Sequence, residues 1–278
     1  MRLLIAVFSL LSILEIIAMY ADTDAEFSGE RSTNYQDALR LYPDAWLHDL
    51  KLMHDLLQPR PGESIVEVGA GTGYFSREIA RTLGANGRLD IVDPASEQTQ
   101  GLAEILPRNI RIHHQAAEDM ELAFKGFDAV WSRGAIHHVR DKTRAFERFA
   151  AHTKPGGRLV ITDIFAGTTL ARYFDSFIAR SCVTGHEVSF LSQDFATTIC
   201  GLTGWSRPAF YDNTARWRFA DSQHLGKFLR LLFSAEPEYS DEDCLEGVQD
   251  FLTVQDGGGS CTLLWPMTTL VAQRAATH

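Results

Sequence analysis

Residues 64–75 read Ser-Ile-Val-Glu-Val-Gly-Ala-Gly-Thr-Gly-Tyr-Phe, a short apolar strand that ends in an acid and runs straight into three alternate glycines. Few folds are open to a chain that does this. Glycines at 69, 71 and 73 let the backbone turn sharply with no Cβ in the way, and Phe75 to Leu83 then carries the apolar spacing of a helix. A helix that starts behind such a turn aims its first amides at whatever lies against the loop, which suits a nucleotide-like cofactor. A dinucleotide fold wants Gly-x-Gly-x-x-Gly/Ala, the last small residue packing helix on strand. Here the third glycine comes one position early and Tyr74 stands where the small residue belongs, which weighs against an NAD-linked oxidoreductase.

Glu67, Gly69, Gly71 and Gly73 together resemble motif I of the class I S-adenosylmethionine (SAM)-dependent methyltransferases, an acid followed by Gly-x-Gly-x-Gly. Further matches follow in that family's order. Gly87 to Asp93 reads as a second strand ending in a carboxylate, 20 positions past Gly73, where a side chain can accept both ribose hydroxyls. Asn109 to His113 is a short alternating strand, and Gln115 to Asp119 resembles the loop that borders the adenine. Phe127 to Ser132 looks like the fourth strand, Arg133 to His138 its post-strand segment, and Lys154-Pro-Gly-Gly157 the turn into a fifth strand, Arg158 to Asp163.

The resemblance covers roughly residues 60 to 165 and is similar to the broad type 11 methyltransferase group. It implies an α/β fold, a Rossmann-like, doubly wound, mostly parallel sheet of seven strands with an antiparallel last strand. An N-terminal helical cap and a helical insertion after the fifth strand complete it. The implied cofactor is SAM, held by Glu67, Gly69, Ala70, Gly71, Gly73, Asp93, Pro94, Ala117, Glu118, Ser132 and Arg133. One position departs from the pattern. Many relatives carry Asp-Ala in the adenine loop, whereas Ala116-Ala117 leaves recognition to main-chain amides, with Glu118 or Asp119 as the acceptor.

A chain of 278 residues with 45% hydrophobic composition can bury one large core without disulfides or metals. The formal net charge of -10 works against nucleic acid as substrate, because a phosphate backbone needs a basic track, so a small-molecule acceptor is expected. Cys182, Cys200, Cys244 and Cys261 form no Cys-x-x-Cys pair, which reads as reduced thiols in a cytoplasmic protein. Leu3 to Ala18 is an apolar run behind Arg2, shorter than the ~20 residues that span a bilayer and interrupted by Glu15. Three readings stand for it: an extension upstream of a true start at Met19, an anchoring helix that makes the protein membrane-associated, or a cleaved signal.

The expected organisation is a hydrophobic segment over 1–20, a helical cap over 21–59 and a methyltransferase domain over 60–278 with an insertion at about 166–204. Residues 20–34 read as a flexible polar lead, and Tyr35 to Leu57 as helix broken by Pro43. Tyr35, Tyr42 and Trp46 read as packing residues. Arg207 to Tyr211 is the expected sixth strand, Ser222 to Phe233 an amphipathic helix, Gly257 to Ser260 a loop, and Cys261 to Ala272 the closing strand or strand pair.

Methyl transfer needs an acceptor lone pair in line with the S–CH3 bond, so positioning carries much of the rate, and a base is needed only when the nucleophile keeps a proton. His137 and His138, just past the fourth strand, are base candidates, with His137 the better placed for contact, and His186, in the aromatic insertion beside Glu187, is the further catalytic candidate. The competing readings are a cofactor-lining role for His137 and an exposed turn for His186. Asp163 faces the same crevice or caps the next segment, His113 and His114 read as packing, and no metal-ligand spacing joins these histidines. The expected function is methyl transfer to oxygen, nitrogen or carbon of a small organic acceptor. The alternative from another class is a catalytically silent SAM-binding or regulatory protein.

Overall fold

Runs of apolar, largely β-branched residues bounded by glycines and acids form the parallel heart of the sheet: β1 (Ser64–Val68), β2 (Arg88–Val92), β3 (Ile110–His113), β4 (Phe127–Arg133) and β5 (Thr153–Asp163). The computed structural model describes residues 26–102, 109–186 and 188–276. The readings placed on residues 1–25, Leu3 to Ala18 and Met19 among them, and on Glu187 lie outside these. Among the described residues no helix is long and apolar enough to cross a membrane.

Later in the chain come β6 (Ala209–Phe219), β7 (Val254–Gly257) and β8 (Ser260–Gln273). The sheet order is β3-β2-β1-β4-β5-β8-β6. β1 pairs in parallel with both β2 and β4, and β8 runs antiparallel between β5 and β6. This is the expected seven-strand path. An eighth strand, β7, hairpins onto β8 through Gly258 and Gly259, both with positive φ as such a tight turn requires, so the glycines read as a loop make a two-residue turn. Chain order reverses between β1 and β4, and an open α/β sheet takes its ligands at the carboxyl ends of the strands beside that point.

The cap consists of α1 (Gly29–Leu41) and α2 (Leu47–Leu57), parted at Pro43 as expected. α1 starts earlier than its polar sequence suggests, so residues 29–34 are helix and no flexible lead. Tertiary contacts override weak local propensity there: Gly29 N donates to Glu97 Oε2 at 2.8 Å, Asn34 Nδ2 to Ser234 Oγ at 2.8 Å, and buried Arg31 to the Phe233 carbonyl at 3.3 Å. α3 (Tyr74–Leu83) follows the glycine loop and packs Phe75, Ile79, Ala80 and Leu83 against the sheet. α4 (Lys142–His152), α5 (Gln193–Leu202) and α6 (Ser222–Leu232) start on side-chain caps from Asp141, Ser192 and Asp221. α7 (Asp241–Gln249), unread in the sequence, starts on a capping box made by Ser240 and Asp243.

Two departures shape the site. β6 runs to Phe219, well past Tyr211, because alternate residues Ala215, Trp217 and Phe219 bury one face of a long ribbon with Cys261, Leu263, Trp265 and Met267 of β8. Trp217 stacks on Trp265 with centroids 4.3 Å apart, a pair worth ~0.5–1.5 kcal/mol beyond its buried area. In the insertion, Thr169–Tyr173 passes through a π-helical turn, Phe174–Ile178, into Ala179–Ser181, and this turn delivers Phe174 to the interior.

Candidate active site

At the end of β1 the chain leaves the sheet with Gly69 N donating to the Val92 carbonyl at 2.9 Å. The three glycines of the turn all have positive φ but meet different neighbours. A Cβ on Gly69 would overlap Ala135 and one on Gly73 would overlap Leu102, so these two let other segments pack against the loop. A Cβ on Gly71 would stand 3.6 Å from the Tyr35 ring, in a cavity that the loop borders. Asp93, at the end of β2, accepts from Gly71 N at 2.7 Å through Oδ2 and from Ala95 N at 2.9 Å through Oδ1. This buried acid braces the loop, and a carboxylate oxygen can accept more than one hydrogen bond.

The cavity is lined by the loop, Asp93, Pro94, Ala117, Glu118 and Arg133, and also by His137, His138 and His186. Tyr35 and Trp46 of the cap close it, and Phe174, Trp217, Phe233 and Trp265 give it an aromatic wall. Arg133 ion-pairs with buried Asp49, whose other oxygen accepts from Trp217 Nε1 at 2.9 Å, and its guanidinium lies 4.7 Å from the Trp46 ring centre. That leaves Arg133 Nε buried without a partner, a donor available to an anionic ligand group.

Asp163 ends β5 buried, 1% exposed, accepting from the amides of Ile136 (2.7 Å), His137 (3.3 Å) and Ile164 (2.7 Å). Its Oδ1 also lies 2.5 Å from His137 Nδ1, which fixes the ring and leaves Nε2 as the second nitrogen. It therefore both caps the next segment and orients a histidine. His186 arrives from the insertion with φ 46°, is buried, and has no partner for Nδ1. Burial, with His137 and Arg31 adding to it, holds the His138 pKa well below its ordinary 6.5. Burial does the same to His186, with His138 and Arg31 adding to it.

Residues 65–157 match the methyltransferase domain family. That stretch is a methyltransferase domain. An uncharacterised methyltransferase of Mycobacterium tuberculosis is 32% identical over 107 residues, 38% of this chain and 53% of that one. The chain thus spans about half the length of the first curated relatives it matches. The structure of YcgJ from Bacillus subtilis superposes with a TM-score of 0.55 at 18% identity, covering 83% of this chain and 99% of that one. Phosphoethanolamine N-methyltransferase 2 of Haemonchus contortus, complexed with phosphomonomethylethanolamine and S-adenosylhomocysteine, gives 0.58 at 15% identity over 83% of this chain and 53% of that one. At these identities the two structures share the fold.

Of the residues assigned to the cofactor from sequence, Gly69, Ala70, Gly71, Asp93, Pro94, Ala117, Glu118 and Arg133 line the cavity, as do His137 and His186. Glu67, Gly73 and Ser132 do not line it. Gly73 lies against Leu102, and the Ser132 hydroxyl donates to the Val68 carbonyl at 2.9 Å, tying β4 to β1. Asp119 points to the surface and pairs with Arg144 at 2.9 Å, which leaves Glu118 as the acid beside Ala117. His186 is no exposed turn, and Tyr35 and Trp46 reach the cavity although they read as packing. His138 stood beside His137 as a base candidate and lines the cavity with it, whereas Arg31, Glu26, Trp217 and Trp265 carried no reading from the sequence. The period-two alternation of Ala215, Trp217 and Phe219 opposite Leu263, Trp265 and Met267 was the available signal for the tryptophans.

Glu67 lies beneath the loop, 2% exposed, with Oε2 unpartnered. Burial pushes its pKa up from 4.5 to about 7, Ser76 opposing and Asp93 adding to the rise. The folded chain therefore binds more protons than the unfolded chain between these values, and stability falls as pH climbs through that window. Glu67→Gln is expected to stabilise the unliganded protein by about 3 kcal/mol at pH 8, each pKa unit being worth ~1.4 kcal/mol, and by under ~1 kcal/mol at pH 5. Urea unfolding of both proteins at the two pH values measures this. An equal effect at both would mean that Glu67 does not titrate in the folded chain.

Proposed function

We propose that this methyltransferase moves a methyl group from SAM to an oxygen, nitrogen or carbon of a small organic acceptor seated beside His137 and His186. The observation that carries this reading is the shared cavity: the glycine loop and Asp93 border the same space as the histidines and the aromatic wall. SAM, when bound, supplies a methyl group on a positively charged sulfonium. Asp93 offers its carboxylate to ribose hydroxyls, Gly71 leaves room at the backbone, and the unpartnered Arg133 Nε is a donor for a ligand carboxylate. The rings of Trp46, Phe75 and Trp217 pack around the Arg133 guanidinium and, as part of the cavity wall, help to exclude water. A small acceptor also fits the Haemonchus enzyme of the same fold, which holds phosphomonomethylethanolamine. An NAD site is disfavoured by Tyr74, whose ring packs edge-on against Trp46 and whose hydroxyl donates to the Pro43 carbonyl at 3.0 Å where a small residue would be needed.

His137→Ala and His186→Ala are each expected to lower turnover of the true acceptor by ~10²-fold or more while SAM affinity changes by less than ~3-fold. Acceptor panels read by formation of S-adenosylhomocysteine, with SAM calorimetry on the same samples, test this. Equal loss of both would assign the two side chains to the cofactor or the fold. Intact SAM binding with no product from any acceptor would favour the silent, regulatory reading.

A further inference from the structure

We infer that His137, His138 and His186 form a binding site for one divalent transition-metal ion at the acceptor side of the cavity. One ring nitrogen from each lies within 4.8 Å of the other two. The ring centres are 4.2 Å apart for His137 and His138, 5.0 Å for His138 and His186, and 5.8 Å for His137 and His186. Tetrahedral coordination at ~2.0–2.1 Å brings ligand nitrogens to about 3.3 Å from one another, so the rings close in by side-chain rotation when an ion enters. Three imidazoles suit zinc, copper, iron or nickel and leave a further position open.

Two observations beyond proximity point to a ligand. Asp163 holds His137 by Nδ1 at 2.5 Å, the carboxylate–histidine arrangement that orients metal ligands, and the same carboxylate is anchored by three backbone amides. His186 Nδ1 is buried without a partner on a residue held at φ 46°, a backbone conformation that a non-glycine residue keeps only when its surroundings demand it. The charges facing the cluster are accounted for. Arg31 lies 3.5 Å from Glu26 and donates to the Phe233 carbonyl, while Lys142 Nζ donates to the Val139 carbonyl (2.7 Å) and Ser189 Oγ (2.6 Å). Neither cation donates to a histidine nitrogen among these contacts. Glu26 Oε2, 3.0 Å from His138 Nδ1, is an oxygen donor at the edge of the cluster.

All three histidines line the cavity, so the open position would receive an oxygen, nitrogen or sulfur donor of the acceptor. That consequence rests on the methyl-transfer reading; the metal site does not. The test is titration of the full chain, stripped with chelator and dialysed, with Co²⁺ alone, followed by displacement with Zn²⁺. The expected result is one Co²⁺ per chain with the visible absorption of a low-coordinate ion. His138→Gln and His186→Gln should each weaken binding by about tenfold or more, Asp163→Asn by about 10–100-fold, and the exposed His224→Ala not at all. Absence of stoichiometric binding by the wild-type chain, whatever the variants do, overturns the inference. So does an equal loss in His224→Ala. SAM calorimetry on the same preparations keeps the two readings apart, since metal binding without SAM binding would sink the methyltransferase function and leave this site standing.

Discussion

Replacing Asp163 by alanine is expected to destabilise the chain by about 3–5 kcal/mol, the loss typical when one partner of a buried, hydrogen-bonded pair is removed. The residue is 1% exposed, and its carboxylate accepts from three backbone amides besides facing His137. Burial raises its pKa, but the charge and hydrogen bond of His137, the Ile164 amide and His138 together outweigh burial, and the net shift is downward from 3.8. For a carboxylate depressed in the folded state, this stabilisation is fully present above the ordinary value and is lost as pH falls through the depressed one. Urea unfolding monitored by circular dichroism measures the loss. Asp163→Asn, which keeps an acceptor oxygen, should fall between the two. A loss below ~1 kcal/mol for the alanine variant would show that the amides find other partners.

The second large effect belongs to Asp93. Asp93→Ala should weaken SAM binding by at least ~1.5 kcal/mol, the value of one charge-assisted hydrogen bond, or more than tenfold. The structure adds a second contribution, because the same side chain holds Gly71 N at 2.7 Å and Ala95 N at 2.9 Å, so the variant also loosens the loop. Calorimetry with an unchanged dissociation constant would remove Asp93 from the site.

The glycine-loop side of the cavity was legible because its residues follow strand ends within short segments, where local pattern and spacing carry the information. Gly73 and Ser132 stand outside the cavity lining. Ser132 sits at the end of β4 with its hydroxyl on β1, and Gly73 serves Leu102, facts that depend on neighbours a spacing rule does not contain. The acceptor side was legible only in fragments. His137 and His186 could be singled out, but their meeting with His138 depends on a loop returning from the insertion with a left-handed residue at its tip. Trp217 and Trp265 were hidden because Asp212-Asn213-Thr214 interrupts the apolar pattern of β6 while the ribbon continues through it. Likewise, Glu26 and Arg31 lie in a polar stretch with little helical periodicity, and contacts to Phe233 and Glu26 decide the burial of Arg31.

The central claim is that the cavity bordered by the glycine loop is a SAM site. Its most direct measurement is calorimetric titration of the purified full chain with SAM and, separately, with NAD. One SAM per chain with micromolar-class affinity, reduced more than tenfold in Asp93→Ala, and no heat from NAD is the expected result. Binding of NAD, or no binding of SAM by a folded wild-type chain, would contradict it.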